Sequence, residues 1–154
     1  MANELQLLHF VSAGRHYAVN LSIVKEVLRM VQMTRVTELP SFVTGMINLR
    51  GDTVPVIDFM TRARAGDSTV SLNNRILIMA IKNIVLGLLV DEVREVINVD
   101  ASSVSKNIQS EIVIDSKYIY GTFLHRSDLL IWVDVEKLLT SGELTELEQG
   151  LESV

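Results

Sequence analysis

The chain of 154 residues has no cysteine. Disulfide staples and thiolate metal sites are therefore excluded, and packing alone must hold the fold. Two prolines and eight scattered glycines leave no room for a Pro- or Gly-rich linker. Aromatic residues make up only 5%, so aliphatic side chains must fill the core. Basic residues are the minority: the net charge is −5 and the pI about 5.2. A nucleic-acid partner needs a concentrated basic surface. Arg62, Arg64 and Arg75 come nearest to one, and without interleaved aromatics they read as solvated loop charges. No apolar run approaches the ~20 residues of a membrane helix. The most apolar span, residues 76–90, is broken by Lys82 and Asn83. The start, Met1-Ala2-Asn3-Glu4, lacks the basic and apolar regions of a signal peptide. A cytoplasmic protein without membrane insertion is expected.

What the chain does have is 48% hydrophobic residues against 21% charged, the balance of a globular domain. At this length one domain is expected over 1–154, large enough to bury a core. The most informative stretch is 45–59. Gly51 stands between two β-rich runs, where a tight turn needs a residue that accepts positive φ. Residues 46–50 and 53–58 then read as two arms of a hairpin, with Arg50 at the turn. Pro55 cannot donate to a ladder, so its strand lies at an edge or has that nitrogen turned away from its neighbour.

Turn signals recur roughly every ten residues. Strands are expected at 5–11, 15–20, 28–32, 75–81, 84–90, 95–99, 118–124 and 129–133, besides the central hairpin. Ala13-Gly14 and Lys82-Asn83 read as two-residue turns, with Asn83 suited to positive φ. Ser22 is placed to cap a short helix over 23–27, whose Ile23 and Val27 would face the core together. Residues 60–72 read as a polar loop and a subdomain boundary, and 101–117 as surface loop. A helix is expected to begin at 134–139. Further on, Thr140 and Glu143 form a capping-box pair ahead of a stripe of Leu144, Leu147 and Leu151. Many short strands with these spacings indicate β-barrels or sandwiches. No sequence repeat between the halves is evident.

Recognisable catalytic chemistry is missing. There is no Gly-x-Ser-x-Gly elbow, phosphate loop or dinucleotide fingerprint. Asp91 and Glu92 are adjacent, so in a strand they point to opposite faces and cannot share general acid–base work. His9, His16 and His125 are scattered in sequence, and no metal site or cofactor is expected. Arg50-Gly51-Asp52 spells an adhesion tripeptide and Asn20-Leu21-Ser22 a glycosylation sequon. Without a secretion signal, the first reads as turn chemistry and the second meets the same objection. Met46 and Met79 read as core filling, whereas Met30 and Met33 could belong to a pliable binding surface.

Gly45, Asn48, Leu49, Arg50, Gly51, Pro55 and Asp58 together resemble the Gly-x-x-Asn-Leu-Arg-Gly-x-x-x-Pro-x-x-Asp signature of the CheW-like family of chemotaxis coupling proteins. Tyr17, Ile23-Val24-Lys25-Glu26-Val27, Leu39-Pro40, Gly87–Val93, Glu95-Val96, Gly121, 130–134 and Leu138-Leu139 extend the resemblance in order along nearly the whole chain. Ala18 and Asn20 depart from the family's usual Gly and Asp. The resemblance implies a mainly β fold of two small five-stranded SH3-like barrels with short helices. It implies a non-catalytic adaptor that couples methyl-accepting chemoreceptors to the histidine kinase CheA. The alternative is a scaffold of another chemosensory array, for pilus motility or development; a small β-barrel enzyme or ligand-binding protein is the reading from another class. Implied partners are the kinase regulatory domain and the cytoplasmic receptor tip, with weak or no self-association and recruitment to membrane-associated arrays. By motif position the partner-binding residues would be Val24, Glu26, Val27, Gly45, Arg50 and Val96, with Glu26 and Arg50 close enough for an ion pair. Val24 and Val96 also read as core positions, and Gly45 as a backbone requirement.

Overall fold

The computed structural model describes residues 4–63, 70–107, 112 and 114–153. Ten strands form two five-stranded sheets. They are β1 (Glu4–Ser12), β2 (Arg15–Asn20), β3 (Val24–Arg29), β4 (Val43–Leu49), β5 (Asp52–Asp58), β6 (Arg75–Ile81), β7 (Ile84–Val90), β8 (Glu92–Asp100), β9 (Ile119–His125) and β10 (Asp128–Val133). Helix α1 (Phe59–Arg62) follows β5, and α2 (Ser141–Glu152) closes the chain. One sheet has the order β8-β1-β2-β10-β9 and the other β3-β6-β7-β5-β4. The mainly β expectation of two five-stranded units therefore holds.

Several local expectations are corrected. Residues 23–27 are not helical. A 3₁₀ turn over Leu21–Ile23 leads straight into strand β3, in which Val27 is exposed. Pairing with β6 overrides the weak capping signal of Ser22: β-branched residues in a short segment gain more from a ladder than from one helical turn. In the turn after β6 it is Lys82, not Asn83, that takes positive φ. The helix expected from Asp134 is a 3₁₀ turn over Val135–Leu138. Met60 is buried in α1 rather than looped out. The stretch 60–72, expected to divide the chain, connects two strands of one sheet. Passage between sheets occurs instead from β2 to β3 and from β7 to β8. Arg64, Gly66, Asp67 and Ser68 of that stretch lie outside the described residues.

Pro55 is not on an edge strand, because β5 lies between β4 and β7. Both backbone groups of Met46, its partner on β4, bond to Thr34 (2.8 and 2.7 Å). Met46 and Pro55 are thus a non-hydrogen-bonded pair, and the proline nitrogen faces away from β4. On that side the parallel ladder to β7 starts only at Val56, so no bond is lost.

The two sheets share one topology. Counted in chain order from β3, the second sheet runs first, fourth, fifth, third, second. The first sheet runs the same way when counting starts at β8 and continues through the N-terminal hairpin. Strand β8 thus corresponds to β3, β9–β10 to β4–β5, and β1–β2 to β6–β7. The repeat escapes a linear reading because it is circularly permuted. Once aligned, Val24-Lys25-Glu26-Val27-Leu28 falls on Val93-Arg94-Glu95-Val96-Ile97, and both runs carry a bulge at the same place. Gly45 falls on Gly121. A Cβ at Gly45 would come within 2.9 Å of Met33 Cβ, and one at Gly121 within 2.7 Å of the Ser105 carbonyl oxygen. At each glycine the chain leading into the hairpin crosses close over the strand, and the next residue makes the bridge Thr34–Met46 or Ser105–Thr122.

Each sheet wraps its own small core: Leu7, Ile97, Phe123 and Leu130 in one, Ile76, Ile47, Val54 and Leu89 in the other. Met30 and Met33 pack against the second of these, while Met46 and Met79 are buried in the shared core. That largest cluster unites both sheets with Leu144 and Leu147 of α2. Within it Phe10 and Tyr17 stack at 5.4 Å, and Phe59 meets both rings edge to face at 5.0 and 4.8 Å. The capping box at Thr140 and Glu143 is formed as expected. Arg62 is not a solvated loop charge: its Nε donates to the Leu138 carbonyl at 2.7 Å and its guanidinium pairs with Glu143 at 2.8 Å, holding the start of α2. Asn20 accepts from the Trp132 indole at 2.6 Å and so links β2 to β10.

Candidate functional site

The central hairpin turns at Arg50 and Gly51, both with positive φ (51° and 88°). That pair of values matches the right-handed twist of the strands it joins. Asn48 Oδ1 accepts from the Gly51 amide at 3.2 Å and braces the turn. Ala13, Lys82 and Arg126, the first residues of the other hairpin turns, also have φ between 51° and 54°. The left-handed backbone at Arg50 thus belongs to the turn type and is not a strain peculiar to this site.

From this turn Arg50 reaches back to β3. Its Nη1 donates to Glu26 Oε2 at 2.6 Å and its Nη2 to Oε1 at 3.0 Å. The two parallel bonds fix the direction of both side chains. The Arg50 hydrogen bond holds the Glu26 carboxyl below the usual glutamate range, and Glu26 raises the guanidinium pKa in return. The Arg50 side chain remains 72% exposed, so its outer face is available to a partner. The pair expected from sequence is present, though Glu26 leaves a strand rather than a helix.

Beside the pair lies a groove of about 590 Å³. Leu49, Val85 and Leu151 supply apolar surface over buried Ile78, while Asp52, Glu148 and Glu152 add negative charge and Lys25 a positive one. Sequence reasoning missed these lining residues. The leucine stripe and acidic face of α2 were visible, but their position against the hairpin turn was not.

The remaining sequence-derived residues are distributed differently. Val24 is half-buried and packs on the shared core. Val27 and Val96 are exposed, 42% and 48%, at corresponding positions of β3 and β8. They therefore belong to different sheets. Gly45 is pressed under Met33, a close approach that no larger residue could make unaltered.

The histidines are not scattered in space. His9 Nε2 and His16 Nδ1 are 2.8 Å apart, and the His9 and His125 rings lie edge to face at 6.0 Å. His125 Nε2 is 3.3 Å from Glu95, which Arg126 also approaches at 3.5 Å. Strand pairing assembles this group from positions more than a hundred residues apart.

The sequence model of the CheW-like domain family matches residues 6–143. The chain is 27% identical to the chemotaxis protein CheW of Klebsiella aerogenes over 148 residues, covering 96% of this chain and 89% of that one. Over 99 residues it is 33% identical to the chemotaxis protein CheW of Bacillus subtilis, 64% of each chain. Among solved structures it resembles the scaffolding protein TtCheW from Thermoanaerobacter tengcongensis, with a TM-score of 0.78 and 31% identity over 93% of this chain and 91% of that one.

Proposed function

The chain belongs to the CheW-like domain family, and we propose that it acts in bacterial chemotaxis signal transduction as a non-catalytic adaptor coupling methyl-accepting chemoreceptors to the histidine kinase CheA. Its chemotaxis-protein relatives and its scaffolding-protein neighbour support this reading. Among the described residues no helix is long and apolar enough to cross a membrane. The adaptor works from the cytoplasm and is recruited to receptor arrays by its partners.

The observation that carries the site assignment is the exposed, bidentate Glu26–Arg50 pair at the rim of a groove of mixed apolar and charged lining. The aliphatic part of its wall receives a helical hairpin through apolar anchors. A guanidinium held in one direction at its rim sets the register of the docked chain, which a Lys ammonium would not reproduce. Exposed Val27 and Val96 supply apolar contacts at the outer edges of the two sheets, and half-buried Val24 and close-packed Gly45 position the strands behind them. The receptor tip occupies the groove, and the homologous regulatory domain of the kinase pairs with one barrel. In isolation the adaptor associates weakly or not at all with itself.

The test is reconstitution with kinase and receptor fragments. Arg50→Ala keeps the native circular dichroism and melting curve but loses receptor-dependent control of the kinase, and Arg50→Lys restores part of it. A variant that unfolds makes Arg50 structural, and one that couples normally removes it from the site.

A further inference from the structure

The aligned sheets place His9, His16 and His125 where the other sheet has Ile78, Val85 and Leu49. The fold itself therefore accepts aliphatic side chains at all three positions. All the histidines of the chain have gathered at one end of one sheet. Glu95 and Arg126, the counterparts of Glu26 and Arg50, stand beside them.

One ring nitrogen each from His9 and His125, with a carboxylate oxygen of Glu95, lie within 4.8 Å of one another. In a tetrahedral site with metal–ligand bonds of about 2.0–2.1 Å the ligand atoms stand roughly 3.3 Å apart. Glu95 and His125 already meet at 3.3 Å. Both are partly exposed, with room to swing toward the fixed His9.

His9 has a nitrogen to give. The ring is 4% exposed, and its Nδ1 meets no hydrogen-bond partner among the described residues. Its Nε2 is engaged with His16 Nδ1, and His16 Nε2 faces Asp128 at 3.7 Å. With the His16 proton directed at that carboxylate, His16 Nδ1 accepts and His9 Nε2 donates. A lone pair is then left on His9 Nδ1, and the hydrogen bond from His9 Nε2 to His16 fixes the ring, as outer hydrogen-bond partners do at metal-bound histidines. Burial, then His16, Arg94 and His125 nearby, lower the His9 pKa, while Glu95 opposes this.

Two cations also face the cluster. Arg94 is engaged by Glu92 at 2.6 Å, whereas Arg126 is 76% exposed and free to swing into solvent as an ion takes its place on Glu95. We propose that His9, His125 and Glu95 form a site for one divalent first-row transition ion of the Zn²⁺ class, supported from behind by His16 and Asp128. Two imidazoles and one carboxylate suit such ions and leave a coordination position open.

The experiment is calorimetric titration of the full chain with zinc chloride in a non-chelating buffer. One equivalent of Zn²⁺ binds per chain. His125→Ala and Glu95→Gln each weaken it at least tenfold, His16→Ala weakens it about tenfold through loss of orientation, and Glu146→Gln on α2 leaves it unchanged. Because a histidine variant could unfold, nitrogen spectra of the histidine rings in the native chain give a second readout. Zn²⁺ displaces resonances of both His9 and His125. Absence of uptake at about 100 µM zinc, binding that survives both His125→Ala and Glu95→Gln, or unmoved His9 resonances overturns the proposal.

Discussion

The turn end of one sheet carries Glu26 and Arg50, and the corresponding end of the other carries Glu95 and Arg126. The backbones match: each arginine opens a two-residue turn with φ of 51°, and each glutamate lies at the bulge of an outer strand. The interactions differ. Arg50 grips Glu26 through two bonds, whereas Arg126 comes only within 3.5 Å of a carboxylate already engaged by His125. The neighbours differ as well. Leu49, Ile78 and Val85 offer Glu26 no competing donor, while His125, at the place of Leu49, gives Glu95 a second partner. One frame thus yields a partly aliphatic groove rimmed by a fixed ion pair, and elsewhere a histidine cluster. Partner choice can diverge between two ends of a repeated fold without any change in the strands.

The largest test of this correspondence concerns the paired glycines. A methyl at Gly121 would meet the Ser105 carbonyl oxygen at 2.7 Å, an atom that only a backbone movement can displace. At Gly45 the nearest atom is Met33 Cβ at 2.9 Å, with the Thr34 carbonyl oxygen at 3.4 Å. Gly121→Ala should cost about 3 kcal/mol and Gly45→Ala about 1–2 kcal/mol, within the usual range for overpacking. Denaturant unfolding of both variants measures the difference. Equal, negligible costs would show that the two crossings are not tight and would break the correspondence at this point.

A smaller effect is expected on making the polar end resemble the apolar one. His9→Ile removes a buried nitrogen without a partner among the described residues and installs the residue found at the matching position, Ile78. Stability should rise by about 1 kcal/mol, because an unpaired buried acceptor is removed at similar side-chain volume. His16, being partly exposed, can turn to water. A loss of stability in thermal or chemical unfolding would mean that the histidine cluster supports the fold, unlike its aliphatic counterpart.

The finest comparison is between two titrations. Glu26 and Glu95 are both held below the ordinary glutamate range, the first by the Arg50 hydrogen bond and the second chiefly by that from His125, then by Arg126. A carboxylate with a lowered folded-state pKa adds stability above its unfolded pKa and loses that addition as pH falls through the lowered value. Carboxyl carbon spectra should show Glu26 rising to the ordinary range in Arg50→Ala. In Arg126→Ala, Glu95 should stay mostly low, and it should rise in His125→Ala. If Arg126→Ala alone restores Glu95, the two ends are electrostatically alike.

Much of the local structure was legible because its causes span few residues. The turn at Ala13-Gly14, the limits of β2, β6 and β7, and the box at Thr140 and Glu143 follow from backbone preferences and side-chain capping within a few positions. The motif around Arg50 also marked the hairpin and directed attention to Glu26. Segment 23–27 was misread because its short-range capping signal was real but weaker than a ladder to β6 that local sequence does not show. The decisions left to tertiary structure were those of pairing. The N-terminal hairpin completes the C-terminal sheet, and so hides the repeat of 24–28 in 93–97 from a linear reading. The same pairing brings His9 to His125 and sets β8 beside β1 in the register that places Glu95 between His125 and Arg126. A one-residue slip in any of those ladders would send the side chains to opposite faces. Composition and turn chemistry determine that strands form and where they end, but long-range register determines which side chains meet.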